Sequence, residues 1–295
     1  MLGGLLEGHR GLATGCPADP AFNIAATSGF YAQMAGLLAG FAFTAIIFLL
    51  SSPTLASSSK RQPEKSGVVL TLFAAMVALV ISTLTYSVLA GEQEARGRAA
   101  VQELTDGLPF ALAIMMLFHG VTRLMSGDGW VDDIAIRTGQ AITGVITPVL
   151  AMFYLVSAAL DNEHARIATL RESNPAFCGD VGLVNYTGFG LVLLLLTILV
   201  ITWIRTPSLR SREWAHRWRA AVPLCVLAVS VASAVLAGVV SMQKPAFGLP
   251  SWAVVVFLSL SWLIFAVLAL LVLWDRAASA GRASAEAEDE RQILG

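Results

Sequence analysis

Apolar residues along this chain do not alternate with polar ones at a helical or strand period; they dominate runs of about twenty residues, with few polar side chains inside, that give way to short polar stretches. Seven such runs are long enough to cross roughly 30 Å of hydrocarbon at about 1.5 Å per residue. They are Gly29 to Ser51, Gly67 to Ala90, Gly107 to Met125, Thr138 to Leu160, Val184 to Ile204, Ala220 to Met242 and Ser251 to Trp274. Arg123 is the one formally charged side chain within them, two residues from the end of the third, and every Asp and Glu falls outside. The pattern predicts an all-α, polytopic integral membrane protein of seven transmembrane helices.

Composition agrees with the pattern. Of 295 residues, 56% are apolar and 13% charged, with a mean hydropathy of +0.72, which is more apolar material than a soluble domain of this size can bury. Lys and Arg set the orientation, because they resist translocation. Taking the ends of the runs alternately, one side receives Lys60, Arg61, Lys65, Arg123, Arg137, Arg205, Arg210, Arg212, Arg217, Arg219, Arg276, Arg282 and Arg291, 13 of the 19. The other receives Arg10, Arg96, Arg98, Arg166, Arg171 and Lys244. The 20 acidic residues divide 10 to 10, so the bias is specific to positive charge. It predicts an external N-terminal tail over 1–28, a transmembrane domain over 29–274 and a cytoplasmic C-terminal tail over 275–295. Trp203, Trp252 and Trp274 at run ends fit the interfacial preference of that ring. The first run lacks a basic leader before it and is followed by Lys60, Arg61 and Lys65, so it is expected to remain as an anchor. Arg in place of Lys, with abundant Ala, Val, Leu and Gly, suggests a GC-rich bacterial genome and so a bacterial inner membrane.

Candidate chemistry is sparse. His119 is the titratable group inside a run, with Arg123 four residues on and on the same helical face. Gln140, Thr143, Thr147, Tyr154 and Ser157 form a polar stripe on the fourth run, beside Pro148. Such a stripe, with His119 near its inner mouth, lines a hydrated path or serves interhelical hydrogen bonds, and the sequence leaves both open. No carboxylate is expected at membrane depth.

Small residues make two strips, Ala32, Gly36, Gly40 and Thr44 on the first run and Ser230, Ala234 and Gly238 on the sixth. Both permit close helix packing, within the chain or between subunits of a homo-oligomer. Arg210, Arg212, Trp214, Arg217, Trp218 and Arg219 interleave base and aromatic where lipid headgroups or a protein partner would contact them. Cys16 and Cys178 both fall on the external side and are candidates for a disulfide; Cys225 is expected to be a lone thiol.

Absent motifs narrow the classes further. A net charge of −1 gives no basic field for nucleic acid. No Lys lies in any run, which excludes a retinal Schiff base, and HExxH, GxSxG, a P-loop and CxxC are missing, so no cofactor or metal is expected. The leading expectation is a non-enzymatic channel or transport subunit with a neutral polar path. A scaffold or signalling subunit binding a cytoplasmic partner is the alternative, and a lipid-modifying enzyme comes third.

Overall fold

A computed structural model describes residues 23–51, 62–92, 96–127, 133–174, 177–205 and 212–294, and these are helical apart from short connections. The helices are α1 (Ile24–Ser51), α2 (Gln62–Ala90), α3 (Arg96–Gly127), α4 (Asp133–Ala141), a π-helical turn (Ile142–Ile146), α5 (Thr147–Ser173), α6 (Gly182–Arg205), α7 (Arg212–Ser241) and α8 (Ser251–Leu294). Because α4, the π turn and α5 run on as one rod, seven helices among the described residues are long and apolar enough to cross a membrane.

Their ends follow local chemistry. Asn23 caps α1, its side-chain oxygen accepting the Ala26 N–H at 3.1 Å, and Asp180 does the same for Gly182 at 2.8 Å before α6. Pro148 explains the π turn. It has no N–H to give and its ring collides with the carbonyl four residues back, so the helix takes in an extra residue, and Thr147 N–H reaches the Ile142 carbonyl instead.

Helix α3 is the hub. It packs on α2, α5 and α7, touches α1, α4, the π turn and α8, and its flanks from Val101 to Ala113 are buried throughout. On one flank α1 lies along α2, with α7 against α2 and α3; on the other, α6 and α8 pack together against α5. Alanines 25, 32, 35, 39 and 42 form the buried side of α1. Small side chains there let α1 and α2 approach closely.

Several helices outrun the expected spans, α8 by reaching Leu294, and two of the extensions lie together at one end of the bundle. α3 begins at Arg96 rather than Gly107, and α5 continues to Ser173 rather than stopping at Leu160. The extensions pack on each other and on the α7–α8 connection over 242–250. Arg98 donates to the Ser241 and Gln243 carbonyls at 3.1 and 2.8 Å and pairs with Glu92; the Arg98 N–H reaches the Pro245 carbonyl at 3.1 Å. Asn162 grips Leu249 at both backbone groups, donating to its carbonyl and accepting its N–H, each at 3.1 Å. Arg166 pairs with Glu163 at 2.8 Å and donates to Ser251 at 3.1 Å. Charged residues that hydropathy assigns to loops therefore fasten a connection to the helix ends.

Gly97 makes that fastening possible, because a Cβ there would lie 2.8 Å from the Phe247 carbonyl oxygen and 2.9 Å from the Ala246 carbonyl carbon. Backbone cannot step aside as a side-chain tip can. Gly97→Ala is expected to cost about 1–3 kcal/mol in thermal or denaturant unfolding. Gly40→Ala, with nothing within 4 Å of the added carbon, is expected to be neutral to slightly stabilising. Equal behaviour of the two variants would contradict this packing.

Candidate functional site

Where α1, α2, α3 and α5 converge, polar and aromatic side chains replace the aliphatic core. From α3 come Glu103, Asp106 and Phe110, spaced three and four apart and so on one face. Tyr31 comes from α1, Tyr86 from α2, Tyr154 and Asp161 from α5. The ring of Tyr31 stands 5.4, 6.0 and 5.3 Å from those of Tyr86, Phe110 and Tyr154, and Tyr86 is 5.7 Å from Phe110. Such tilted and edge-on contacts suit aromatic quadrupoles. The Tyr86 and Tyr154 hydroxyls hydrogen-bond each other at 2.9 Å. Gly107 lets α3 reach this layer, since a Cβ there would sit 2.7 Å from Tyr154 Cε1 and 2.9 Å from Leu155 Cδ2.

Two carboxyl groups lie just beyond the aromatic layer, Glu103 only 2% exposed and Asp106 1%. Glu103 Oε2 and Asp106 Oδ1 are both buried without a protein hydrogen-bond partner. Arg98 is turned to Glu92 and two carbonyls and Arg166 to Glu163 and Ser251, while Asp106 takes a hydrogen bond from Thr85. The nearest electrostatic neighbour of Glu103 is another acid, Asp161, whose own counterpart is His164. Asp106, Glu103 and Asp161 thus bring three acids between the aromatic layer and the end of the bundle. Beside it, Gln102 donates to the Ser241 hydroxyl at 2.6 Å, while its Oε1 is buried with no partner. Pro109 contributes no N–H to the Thr105 carbonyl, one residue from Asp106.

This corrects the expectation that no carboxylate lies in the interior. Hydropathy ends the third span at Gly107 because Asp106 and Glu103 lower the average, yet helix and burial both continue past it. A finer signal was present. Three and four residues from Glu103 stand Ala99, Ala100, Asp106 and Gly107, and the same positions around Asp106 hold Gln102, Glu103, Pro109 and Phe110. An exposed helical acid is typically offered a base at this spacing, and neither residue has one.

The residues singled out from sequence scatter. Tyr154 joins the cluster. Thr143 and Thr147 are buried, but their hydroxyls return to their own helix, to the Gly139 and Ile142 carbonyls at 2.8 Å each. Thr143 also lies 3.4 Å from the Thr122 hydroxyl. Gln140 is half-buried and Ser157 is exposed. The π turn accounts for the broken stripe: its extra residue rotates everything beyond by about 100°, the angle per residue at 3.6 per turn. His119 is half-buried, and 13 residues separate it from Asp106, roughly 20 Å along α3. Arg123 lies 3.4 Å from where a Gly67 side chain would start, at the far end of α2.

Of the first small-residue strip, Ala32 is buried while Gly36, Gly40 and Thr44 are exposed, the Thr44 hydroxyl returning to the Gly40 carbonyl at 2.9 Å. Of the second, Ser230 is buried, Ala234 half-buried and Gly238 exposed. Helix α7 carries that strip against α2, α3 and α8. Cys178 is disulfide-bonded and Cys225 is a free thiol; Cys16 lies outside the described residues. Arg210 is outside them too, as are the side chains of Arg212, Trp214, Arg217, Trp218 and Arg219, although α7 begins at Arg212.

Compared with protein-family models, with curated proteins and with solved structures, the chain matches none.

The connection over 242–250 closes this end of the bundle, and Asn162 is its best-defined tie. Asn162→Ala would leave the Leu249 N–H and carbonyl without their partner, at about 1–3 kcal/mol. The Leu249 amide should then exchange with deuterium about 5- to 150-fold faster, at roughly 1.4 kcal/mol per factor of ten. Unchanged exchange would show the connection to be held elsewhere.

Proposed function

We propose that the chain is a multi-pass protein of the plasma (inner) membrane, with its N-terminus outside and C-terminus in the cytoplasm. We propose further that it acts as a channel or transport protein whose polar centre is the cluster of Glu103, Asp106, Tyr86 and Tyr154. Two lines of evidence support the membrane setting. The bundle turns large apolar side chains outward, Phe30, Phe41, Leu150 and Leu193 among them, each at least 60% exposed. Hydrocarbon tolerates such a surface and water does not. Positive charge also divides 13 to 6 between the two sides, which supports an external location for the extensions of α3 and α5.

One observation carries the transport reading: two carboxyl groups inside the helix bundle, each with an oxygen no protein group satisfies. Ionisable residues enclosed by membrane-spanning helices are costly and mark ion or proton pathways. The neutral stripe of the fourth span has less support, because its threonine hydroxyls are taken up by their own backbone and Ser157 faces out. The path is therefore assigned to α1, α2, α3 and α5, with the loop over 242–250 above it.

Flux into liposomes containing the purified protein tests this, with trapped pH-sensitive and sodium-sensitive dyes and an imposed membrane potential. Wild type is expected to pass one of the two ions. Glu103→Gln should slow that flux at least about tenfold, equivalent to some 1.4 kcal/mol of barrier. His119→Ala and Thr147→Val should stay near wild type. Wild-type traces matching empty liposomes would end the transport reading; loss of flux in His119→Ala or Thr147→Val, with Glu103→Gln silent, would move the path to the fourth span. Reporters fused to the two termini should appear on opposite faces of the membrane, the N-terminal one outside.

A further inference from the structure

From the surroundings of Glu103 and Asp106 we infer that the pair is the binding site of one exchangeable monovalent cation, a proton or an alkali ion. This rests on reading the cluster as the functional site and names what occupies it.

The case starts from charge. An ionised carboxylate removed from water costs several kcal/mol unless a cation or a full set of donors compensates. Every element packed against the pair supplies oxygen rather than positive charge. α1 gives the Tyr31 hydroxyl, α2 gives Tyr86 and Thr85, whose hydroxyl hydrogen-bonds Asp106, and α5 gives Tyr154 and the acid Asp161. The arginines nearby in sequence, Arg98 and Arg166, are committed to Glu92, Glu163 and loop carbonyls. Glu103 has no compensating group and Asp106 only the Thr85 hydroxyl, so positive charge has to come from a species that arrives.

The unpartnered oxygens point the same way, independently of the clustering of acids. Glu103 Oε2, Asp106 Oδ1 and Gln102 Oε1 belong to side chains 2%, 1% and 2% exposed, on two adjacent turns of one helix, and none has a donor from the protein. Acceptors without donors are what a cation or an added proton satisfies. Charge and ligand count limit the cation to a small monovalent one. Among the described residues no group of three His, Cys, Asp or Glu side chains is arranged to hold a metal ion, and the carboxyls presented to the site are two. Divalent cations draw on more carboxylate charge and a fuller oxygen shell than this. A bulky organic cation has no place within the aromatic layer, where the rings already touch one another at 5.3 to 6.0 Å.

Exchange has a route as well as a site. Asp161, the electrostatic neighbour of Glu103, is only partly buried and so connects the site toward water.

Two measurements on the full chain in detergent decide the matter without requiring flux. The first is infrared absorption of carboxylic acid C=O groups, with and without exchange into deuterium oxide. The second is thermal unfolding in sodium chloride against choline chloride at constant ionic strength. If a proton occupies the site, wild type shows an acid band that Glu103→Gln or Asp106→Asn removes, and the sodium response is absent. If an alkali ion does, the midpoint rises with sodium, the response is lost in Glu103→Gln and Asp106→Asn, and it persists in Glu172→Gln, whose side chain is exposed. Wild type showing neither an acid band beyond that of the variants nor any sodium dependence would overturn the inference, as would either signal surviving in the double variant. Should the variants not fold, the wild-type spectra still decide: no acid band and no sodium dependence overturns it. Binding without liposome flux would retain this site and discard transport.

Discussion

Helix α3 is enclosed by its neighbours, so each polar group it carries must be satisfied inside the bundle, and the rest of the structure can be read as the consequences. Gln102 and Arg98 each donate hydrogen bonds to the end of α7 or the connection that follows it. Thr122 hydrogen-bonds the Phe118 carbonyl at 2.8 Å. Glu103 and Asp106 make no such tie to the loop, and each keeps a buried oxygen without a partner, as do the Gln102 amide oxygen and the Arg98 Nε. In low dielectric a polar group without a partner is expensive, and a fold retains such groups where function offsets the cost. The two acids stand out for that reason, more than for being charged.

Enclosure of α3 depends in turn on glycines at close approaches. Gly107 admits Tyr154, Gly120 admits Leu72, and Gly97 admits the backbone of 246 and 247. In each case the helix surface comes nearer its neighbour than a Cβ would permit. Close approach brings the tyrosines of α1, α2 and α5 into one layer and ties the α7–α8 connection across the end. Packing, hydrogen bonding and the proposed site therefore share one cause.

Much of the architecture was legible in the sequence, because a run of twenty apolar residues has few places to go except across lipid. What hydropathy could not reveal is where a helix continues once charged residues begin. α3 and α5 each extend some ten residues past the expected limit, and the site lies between those extensions. Local averaging treats Glu103 as evidence of a loop, whereas its helical neighbours Ala99, Ala100 and Gly107, none of them basic, are compatible with a buried face. Pro148 signalled an interruption but not its form. A kink would have kept Gln140, Thr143, Tyr154 and Ser157 on one side; the π turn shifts register, sending Tyr154 inward and Ser157 out. Tyr31 and Tyr86 gave no signal, since aromatic residues in apolar runs are ordinary and only the fold brings them together.

A structure of the full chain in a lipid nanodisc tests the central claim most directly, by where it places the first three turns of α3. The account predicts an unbroken helix from Arg96 through Pro109, Glu103 and Asp106 enclosed by α1, α2 and α5, and the Tyr86 and Tyr154 hydroxyls within hydrogen-bonding distance. A helix that instead begins near Gly107, leaving both carboxylates in bulk water, would contradict it.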